Sequence, residues 1–340
     1  MADTKSIPPI RFGLIGCSSI ARRRFAPALN KSSLARIERI GSRDAAKAEQ
    51  FARELGAPKW GSYEDVMTDP DVDTVYISTP PALHESWVRM AAEHGKHILC
   101  EKPAFPNYPT AVEMVELCRR AKVCLMESYV FGYHPQHALV RTLLDEGKIG
   151  KARVVQSEFA MPWPAEGNYR LRRELGGGVF LDAAGYPMAA AMLLFQAAPV
   201  SVFCRIQTDA NGVDHAASII LDFPDDQIAH CLAIYKVHYR SHYLVLGPEG
   251  TIEATRAFAV LPEASTEIIL ETKSEKKTFP VAPADQFVLT IDDFCTQIMQ
   301  SRFPSQIFEE RLLRQHAVMD AALRSHLEQR PILLSEIQKP

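Results

Sequence analysis

The chain has 340 residues, of which 47% are apolar and 23% charged, with a formal net charge of −3. This is a globular composition with room for two domains, and the near-neutral charge, with Arg22-Arg23-Arg24 as its longest basic run, gives no footprint for nucleic acid. No run of about 18 apolar residues offers a membrane span, Met1–Pro9 lacks an apolar leader core, and seven cysteines without a C-x-x-C pair fit a reducing cytoplasm better than a disulfide framework or a zinc site.

The first part alternates strand and helix. Ile10–Ile15 reads as a buried strand ending at Gly16, and Ser19–Leu29 as a helix. Ile37–Gly41 is a second strand, followed by an amphipathic helix over Ala45–Leu55. Val75–Ser78 is a third strand, closed by Pro80 and Pro81, with a helix over His84–Gly95. His97–Cys100 is a strand leading into Glu101-Lys102-Pro103. A helix over Asn107–Ala121 and a strand over Val123–Glu127 complete the pattern. Such alternation predicts right-handed crossovers and a parallel sheet.

Beyond about residue 150 strand follows strand: Ala152–Met161, Ser201–Gln207, His215–Phe223, Gln227–Val237, His242–Leu246 and Gly250–Thr255. Turn residues such as Pro224-Asp225-Asp226 separate them, which predicts a mostly antiparallel sheet. A helix over Phe180–Leu194 interrupts, and helices near Asp285–Gln300 and Ile307–Gln329 finish the chain. The fold class expected is α/β: an N-terminal Rossmann domain over 9–127, then a C-terminal α+β domain over 128–340 with a large, mostly antiparallel open sheet.

The loop after the first strand places Gly16, Ser18 and Ala21 in the register of the G-x-G-x-x-G/A dinucleotide fingerprint. Gly16 makes the turn and Ala21 lets the helix approach the sheet. Ser18 replaces the usual second Gly, so a Cβ points toward the pyrophosphate and its hydroxyl becomes a candidate donor. Ser19 and Ile20 open the helix, whose N–H groups face an anion. At the end of the second strand stand Ser42 and Arg43, with Lys47 one turn on. An acidic residue there would hold ribose hydroxyls, whereas Arg accepts a 2′-phosphate. NADP is therefore expected before NAD, with Asp44 too late in the loop to serve the ribose.

Two further blocks carry chemistry. Gly95–Pro103 displays Glu101 and Lys102 at the carboxyl end of a parallel strand, where ligands of open α/β sheets bind, with Pro103 stiffening the turn. Gly176-Gly177-Gly178 precedes Asp182 and Tyr186, which lie four residues apart on one helix face, with Pro187 suggesting a functional kink.

On these blocks the chain resembles the Gfo/Idh/MocA family of glucose–fructose oxidoreductase-like dehydrogenases over nearly its whole length. The matching blocks are the cofactor loop, Ser78-Thr79-Pro80 with Leu83-His84, Gly95–Pro103, and Gly176 to Tyr186. Many members carry His where this chain has Tyr186. The Tyr186-Pro187 pair and Tyr133-His134-Pro135-Gln136-His137 resemble the sugar 3-ketoreductases. The departures are Ser18 and Gly185, since Gly is commoner at 184. The resemblance adds Ser78, Thr79, Pro80, His84 and Glu101 to the cofactor candidates, although His84 could equally face the sheet.

Reduction of a ketone leaves negative charge on its oxygen, and an acid must supply a proton. Tyr186 is the candidate donor. A free tyrosine titrates near pKa ~10 and needs a cationic neighbour to act as a base. Lys102 is the candidate neighbour, able also to bond the reacting oxygen or the nicotinamide ribose. Asp182 would orient Lys102 or bind a substrate hydroxyl. No metal is required, and His134 with His137 lacks a third ligand. Tyr133 and Trp163 could stack on a sugar ring or pack internally. His134 would line the substrate pocket. Arg170, with Arg172 and Arg173, would hold a nucleotide-sugar diphosphate or form a solvated face.

The expected function is NADP(H)-dependent reduction of a keto-sugar, with a 3-keto nucleotide-linked sugar in view. The alternatives are an NADP-dependent aldose or dihydrodiol dehydrogenase, and a dinucleotide-binding sensor without turnover. Retention of Lys102 and Tyr186 argues against the sensor. A cytoplasmic homodimer or homotetramer formed through the C-terminal sheet is expected, with no nucleic-acid or membrane partner.

Overall fold

The computed structural model describes residues 8–338. The polar start as far as residue 7, read above as lacking a leader core, and the last two residues lie outside the described residues. The chain forms two compact units. The first runs to Phe105 and adds Pro109–Ser128 and Phe287–Leu312. The second comprises Pro106–Tyr108, Tyr129–Gln286 and the chain from Leu313 onward.

The first unit is built on six parallel strands: β1 (Ile10–Ile15), β2 (Ala35–Gly41), β3 (Lys59–Gly61), β4 (Thr74–Ile77), β5 (His97–Cys100) and β6 (Leu125–Glu127). Their order is β3-β2-β1-β4-β5-β6, so the order reverses between β1 and β4, the ligand crevice of such sheets. Strand β4 is buried at every residue, as a strand covered on both faces requires. The helices are α1 (Ala26–Leu29, led by a π turn over Ala21–Phe25), α2 (Ala45–Leu55), α3 (Tyr63–Thr68), α4 (His84–Glu93) and α5 (Tyr108–Ala121). Asp44 caps α2 by accepting from the Lys47 N–H at 3.1 Å, and Gly56 ends it in the left-handed conformation. β3 and α3 were not expected from the sequence. Each is short, and α3 is defined by the Ser62–Asp65 capping box.

The second unit holds α6 (Pro135–Asp145) and α7 (Gly185–Phe195) with β7 (Val154–Ala160), β8 (Ser201–Thr208), β9 (Asp214–Phe223), β10 (Gln227–Ile234), β11 (Arg240–Leu246), β12 (Gly250–Ala254), β13 (Thr266–Thr272), β14 (Lys276–Val281) and β15 (Ile332–Leu333). The nine strands follow the order β14-β13-β12-β11-β7-β10-β9-β8-β15. Only β7 and β10 pair in parallel; every other neighbour is antiparallel, which is the open sheet expected. β9 alternates buried and exposed residues along its second half, so one face packs and the other does not. Helix α7 lies against β7 and β10. The helical run Arg173–Phe195 is long and apolar enough to cross a membrane, which corrects the expectation that no such stretch exists. Its apolar window is 72% buried, the condition of a core helix.

The single expected boundary after residue 127 differs from the structure in one respect. Helix α8 (Gln286–Met299) and the start of α9 (Gln306–Glu328) pack in the first unit. Phe294 meets Phe12 with ring centroids 6.3 Å apart, the Ser32 hydroxyl donates to Asp292, and Arg119 pairs with Glu309 at 2.8 Å. A helix 160 residues downstream carries no local mark of the sheet it will cover. Helix α10 (Leu334–Ile337) closes the described chain.

Candidate active site

The loop leaving β1 turns at Gly16, whose φ of 103° is the left-handed region that glycine adopts freely. The Ser18 hydroxyl, a candidate phosphate donor from the sequence, makes its bonds here within the protein. Its Oγ accepts the Ala21 N–H at 3.1 Å and donates to Ser78 Oγ at 2.9 Å, so it caps the helix and ties two loops together. Ser78 in turn donates to the Gly16 carbonyl at 3.1 Å and is buried. Ser19 accepts from Arg23, while Ile20 stays partly exposed at the turn. The departure from glycine at 18 is thus a rigid loop joint.

At the end of β2, the Ser42 hydroxyl accepts the Asp44 N–H. Asp44 is occupied as the cap of α2, which removes it from the ribose. Arg43 and Lys47 are exposed. Arg43 lies beside the Tyr63 hydroxyl, which burial pushes up and the guanidinium draws down. Neither cation forms an ion pair among the described residues. An exposed Arg and Lys without a carboxylate partner here fit a 2′-phosphate. Thr79 Oγ1 is buried without a protein partner, an orphan that a bound group would satisfy. These features fit a dinucleotide carrying a 2′-phosphate.

Beyond β4 and β5 the loops are tied by His84. This residue is 1% exposed, and its Nε2 and Nδ1 face the carbonyls of Thr79 and Pro103 at 2.7 and 2.9 Å. Both ring nitrogens are thus engaged within the protein, as the reading of His84 as an interior residue expects. The Lys102–Pro103 bond is cis. Glu101 accepts from the Tyr76 hydroxyl at 2.7 Å. Lys102 and Glu101 are half-buried at the carboxyl end of β5, and Pro80 holds the same rim after β4.

In the second unit the glycine run has a packing reason. A Cβ on Gly177 would stand 2.7 Å from each of the carbonyl oxygens of Tyr169, Arg170 and Arg172. The 169–172 backbone therefore wraps Gly177, and the Gly178 N–H donates to the Arg170 carbonyl at 2.8 Å. This wrap delivers the Arg170 guanidinium to Asp182, with Nε 2.7 Å from Oδ2. The Tyr235 hydroxyl donates to the same oxygen at 2.8 Å. Asp182 is thus bound by Arg170 and Tyr235 within its own unit. Arg170, expected at a diphosphate, has its Nε committed to this pair. Tyr235 had no local sequence signal.

The π turn Phe180–Ala184 opens α7, and the missing N–H of Pro187 falls just after it, so the expected kink takes the form of this wide turn. Tyr186 is half-buried against four aromatic rings: Tyr129, Phe131, Phe159 and Phe258, with centroids 5.4, 5.8, 5.2 and 5.6 Å away. Each such pair contributes about 0.5–1.5 kcal/mol, which orients the phenol. Tyr129 was missed from the sequence because it lies between β6 and a short turn, with no motif of its own. Half-buried Tyr133 ends that turn. Trp163 sets its edge on Tyr235 at 5.9 Å under the Lys236 ammonium.

His134 is fully buried and caps α6, its Nδ1 accepting the Gln136 N–H at 3.3 Å, while its Nε2 is buried without a hydrogen-bond partner. His137 meets the Tyr243 hydroxyl at 2.9 Å and the Ala257 carbonyl at 3.1 Å. Burial pushes His137 down to about 3, and the nearby His134 acts in the same direction. Among the described residues no group of three His, Cys, Asp or Glu side chains could hold a metal ion.

Residues 10–129 match the oxidoreductase family with an NAD-binding Rossmann fold, and residues 137–253 match the GFO/IDH/MocA C-terminal domain. A dTDP-3,4-didehydro-2,6-dideoxy-alpha-D-glucose 3-reductase of Saccharopolyspora spinosa is 35% identical, over 85% of this chain and 88% of its own. A D-xylose 1-dehydrogenase (NADP(+)) of Haloferax volcanii is 31% identical over 88% of this chain and 92% of its own. A solved 3-ketoreductase from Actinomadura kijaniata, in complex with NADP and TDP-benzene, superposes with a TM-score of 0.90 at 30% identity, covering 93% of this chain and 98% of that one. With both domain matches in chain order and likeness across almost its full length, this chain belongs to the GFO/IDH/MocA oxidoreductase family.

Proposed function

We propose that the protein is an NADP(H)-dependent oxidoreductase that reduces a ketone on a nucleotide-linked sugar, at C3 of the ring. The observation that carries this reading is the 0.90 superposition, over 93% of the chain, on a 3-ketoreductase holding NADP and a TDP ligand. The exposed Arg43 and Lys47, neither in an ion pair among the described residues, support the choice of NADP, as does the orphaned Thr79 hydroxyl. The loop Gly16–Ile20, Ser42 and Ser78–Pro80 would shape the rest of the cofactor seat.

Bound NADPH supplies the hydride. Tyr186 donates its phenolic proton to the carbonyl oxygen as charge builds there. Its aromatic surround holds the hydroxyl while excluding water from the ring faces. Lys102 hydrogen-bonds the reacting oxygen or the nicotinamide ribose. Glu101, held by Tyr76, braces the turn that bears Lys102. Asp182 acts through the Arg170–Asp182–Tyr235 cluster, which shapes the start of the helix carrying Tyr186. Tyr133 and Trp163 are the candidate sugar-facing rings.

The second reading is oxidation of a free aldose, favoured by the 31% identity with an NADP-linked xylose dehydrogenase. The same residues serve both directions. The test is steady-state kinetics with NADPH and a dTDP-linked 3-keto-sugar, beside NADP with a panel of aldoses. Turnover confined to the keto-sugar supports the first reading, and turnover confined to aldoses replaces it with the second. Lys102→Ala and Tyr186→Phe should each lower kcat at least about a hundredfold, and a rate near wild type would reassign the role concerned.

A cytoplasmic homo-oligomer completes the proposal. The seven cysteines are all free thiols, six of them buried, and Ile220 and Ile228 stand 36% exposed on adjacent strands β9 and β10. Sedimentation at micromolar concentration tests the assembly, and a monomer would refute it.

A further inference from the structure

His84 and Glu127 grip one peptide group from its two ends. The carbonyl of Pro103 faces His84 Nδ1 at 2.9 Å, and the N–H of the same peptide, on Ala104, donates to Glu127 Oε1 at 2.8 Å. The other ring nitrogen of His84 reaches the Thr79 carbonyl at 2.7 Å. The three loops so joined leave the carboxyl ends of β4, β5 and β6, neighbours in the sheet. His84 is 1% exposed and Glu127 8%, so water does not compete for these bonds. A peptide plane held at both its oxygen and its hydrogen resists rotation, and the residue immediately before it is Lys102. Glu127 also places a carboxylate near a ring whose two partners are both acceptors. Burial draws the imidazole down from its usual range, and the two carbonyls and Glu127 oppose that shift.

We propose that His84 and Glu127 are positioning residues that hold the Pro103–Ala104 peptide, and through it aim the Lys102 ammonium. The inference rests on the reading of Lys102 as a catalytic residue. It makes the two halves of the His84 bridge separable. The arm to Pro103 governs Lys102 and the chemical step. The arm to Thr79 governs the 78–80 segment and cofactor affinity.

Asparagine and glutamine divide these arms, because the Asn amide nitrogen falls near the position of His Nδ1 and the Gln amide nitrogen near that of Nε2. His84→Asn places an N–H toward Pro103, and His84→Gln places one toward Thr79; the neutral imidazole can donate to one of the two carbonyls and the protonated ring to both. The experiment measures kcat, KM for NADPH, NADPH Kd by fluorescence, and Tm for both variants. Expected is a kcat about tenfold or more lower in H84Q than in H84N, since small misplacement of a catalytic group is expensive in rate, while NADPH binds more weakly to H84N than to H84Q. Glu127→Ala should lower kcat and Glu127→Gln, which keeps the acceptor, should restore most of it. This pair carries the test should either His84 variant fail to fold.

Equal kcat in H84N and H84Q at similar Tm would overturn the inference, as would losses in E127A and E127Q that merely follow Tm. Lys102→Ala is run alongside. Wild-type kcat in K102A would remove the catalytic reading itself and this inference with it. An inactive K102A with no split between H84N and H84Q would remove only the positioning role.

Discussion

Arg170 donates Nε–H to Oδ2 of Asp182 at 2.7 Å, closing an ion pair in which the carboxylate is 6% exposed and the guanidinium 35%. The pair exists because Gly177 admits the carbonyls of residues 169, 170 and 172 against its Cα. A motif that suggests a flexible substrate loop is therefore the packing joint that brings a cation to the start of the Tyr186 helix. The second donor to Asp182, Tyr235, has its own pKa raised by burial and by the carboxylate beside it.

Removing Arg170 strands a buried carboxylate. Arg170→Ala should destabilise the protein by about 2–4 kcal/mol, somewhat below a fully buried pair because the arginine keeps solvent contact. Asp182→Asn with Arg170→Ala should lose less than the sum of the single changes. Urea denaturation measures all three, and additive losses would show that the pair is not coupled.

Gly185 meets Tyr129 with no room between them. A Cβ at 185 would lie 1.9 Å from the Tyr129 hydroxyl oxygen and 2.8 Å from the ring carbon bearing it. Gly185→Ala should cost about 1–3 kcal/mol and shift Tyr186, whose ring is stacked edge-on against Tyr129. Tyr129→Phe removes the nearer atom and should recover part of that loss. A G185A protein with wild-type Tm and kcat would show that the site relaxes freely.

Arg43→Ala should weaken NADPH about ten- to a hundredfold, the scale of one charge-assisted hydrogen bond, and change NADH less than about threefold. Calorimetric titration with both dinucleotides reads the difference. Equal weakening of the two would remove the 2′-phosphate from Arg43.

His97 accepts the Cys124 N–H at 3.0 Å through Nδ1, and burial pushes its pKa down to about 4. In the unfolded chain it titrates near the ordinary 6.5. Above that value both states hold the ring neutral, so the group adds no pH dependence. Between about 6.5 and 4 the unfolded chain binds a proton that the native state refuses, and stability falls by up to ~1.4 kcal/mol per pH unit. His97→Asn keeps an acceptor near Nδ1 without titrating. Its stability should fall less steeply across this window in urea melts, and an unchanged slope would assign the acid sensitivity to other groups.

Much of the catalytic frame was legible in the linear chain. The parallel sheet follows from apolar runs alternating with amphipathic helices, because burial on both faces and a period near 3.6 leave their mark on local composition. Gly16, Arg43 and Lys102 stand at strand ends that the same pattern locates. The open sheet of the second unit follows from strands separated only by turns.

What the linear chain could not determine is which groups meet. Tyr235 reaches Asp182 across 53 positions, Glu127 reaches Ala104 across 23, and α8 returns to cover β1 from the far end of the chain. Ser18, His84, His134 and Arg170 each have a side chain able to bind a ligand, and the tertiary structure gives each a partner within the protein that the sequence did not announce. The reason is physical. Periodicity and propensity act within a segment, whereas a buried polar group must find its partner wherever packing brings one within about 3 Å. Only the folded chain decides where that is.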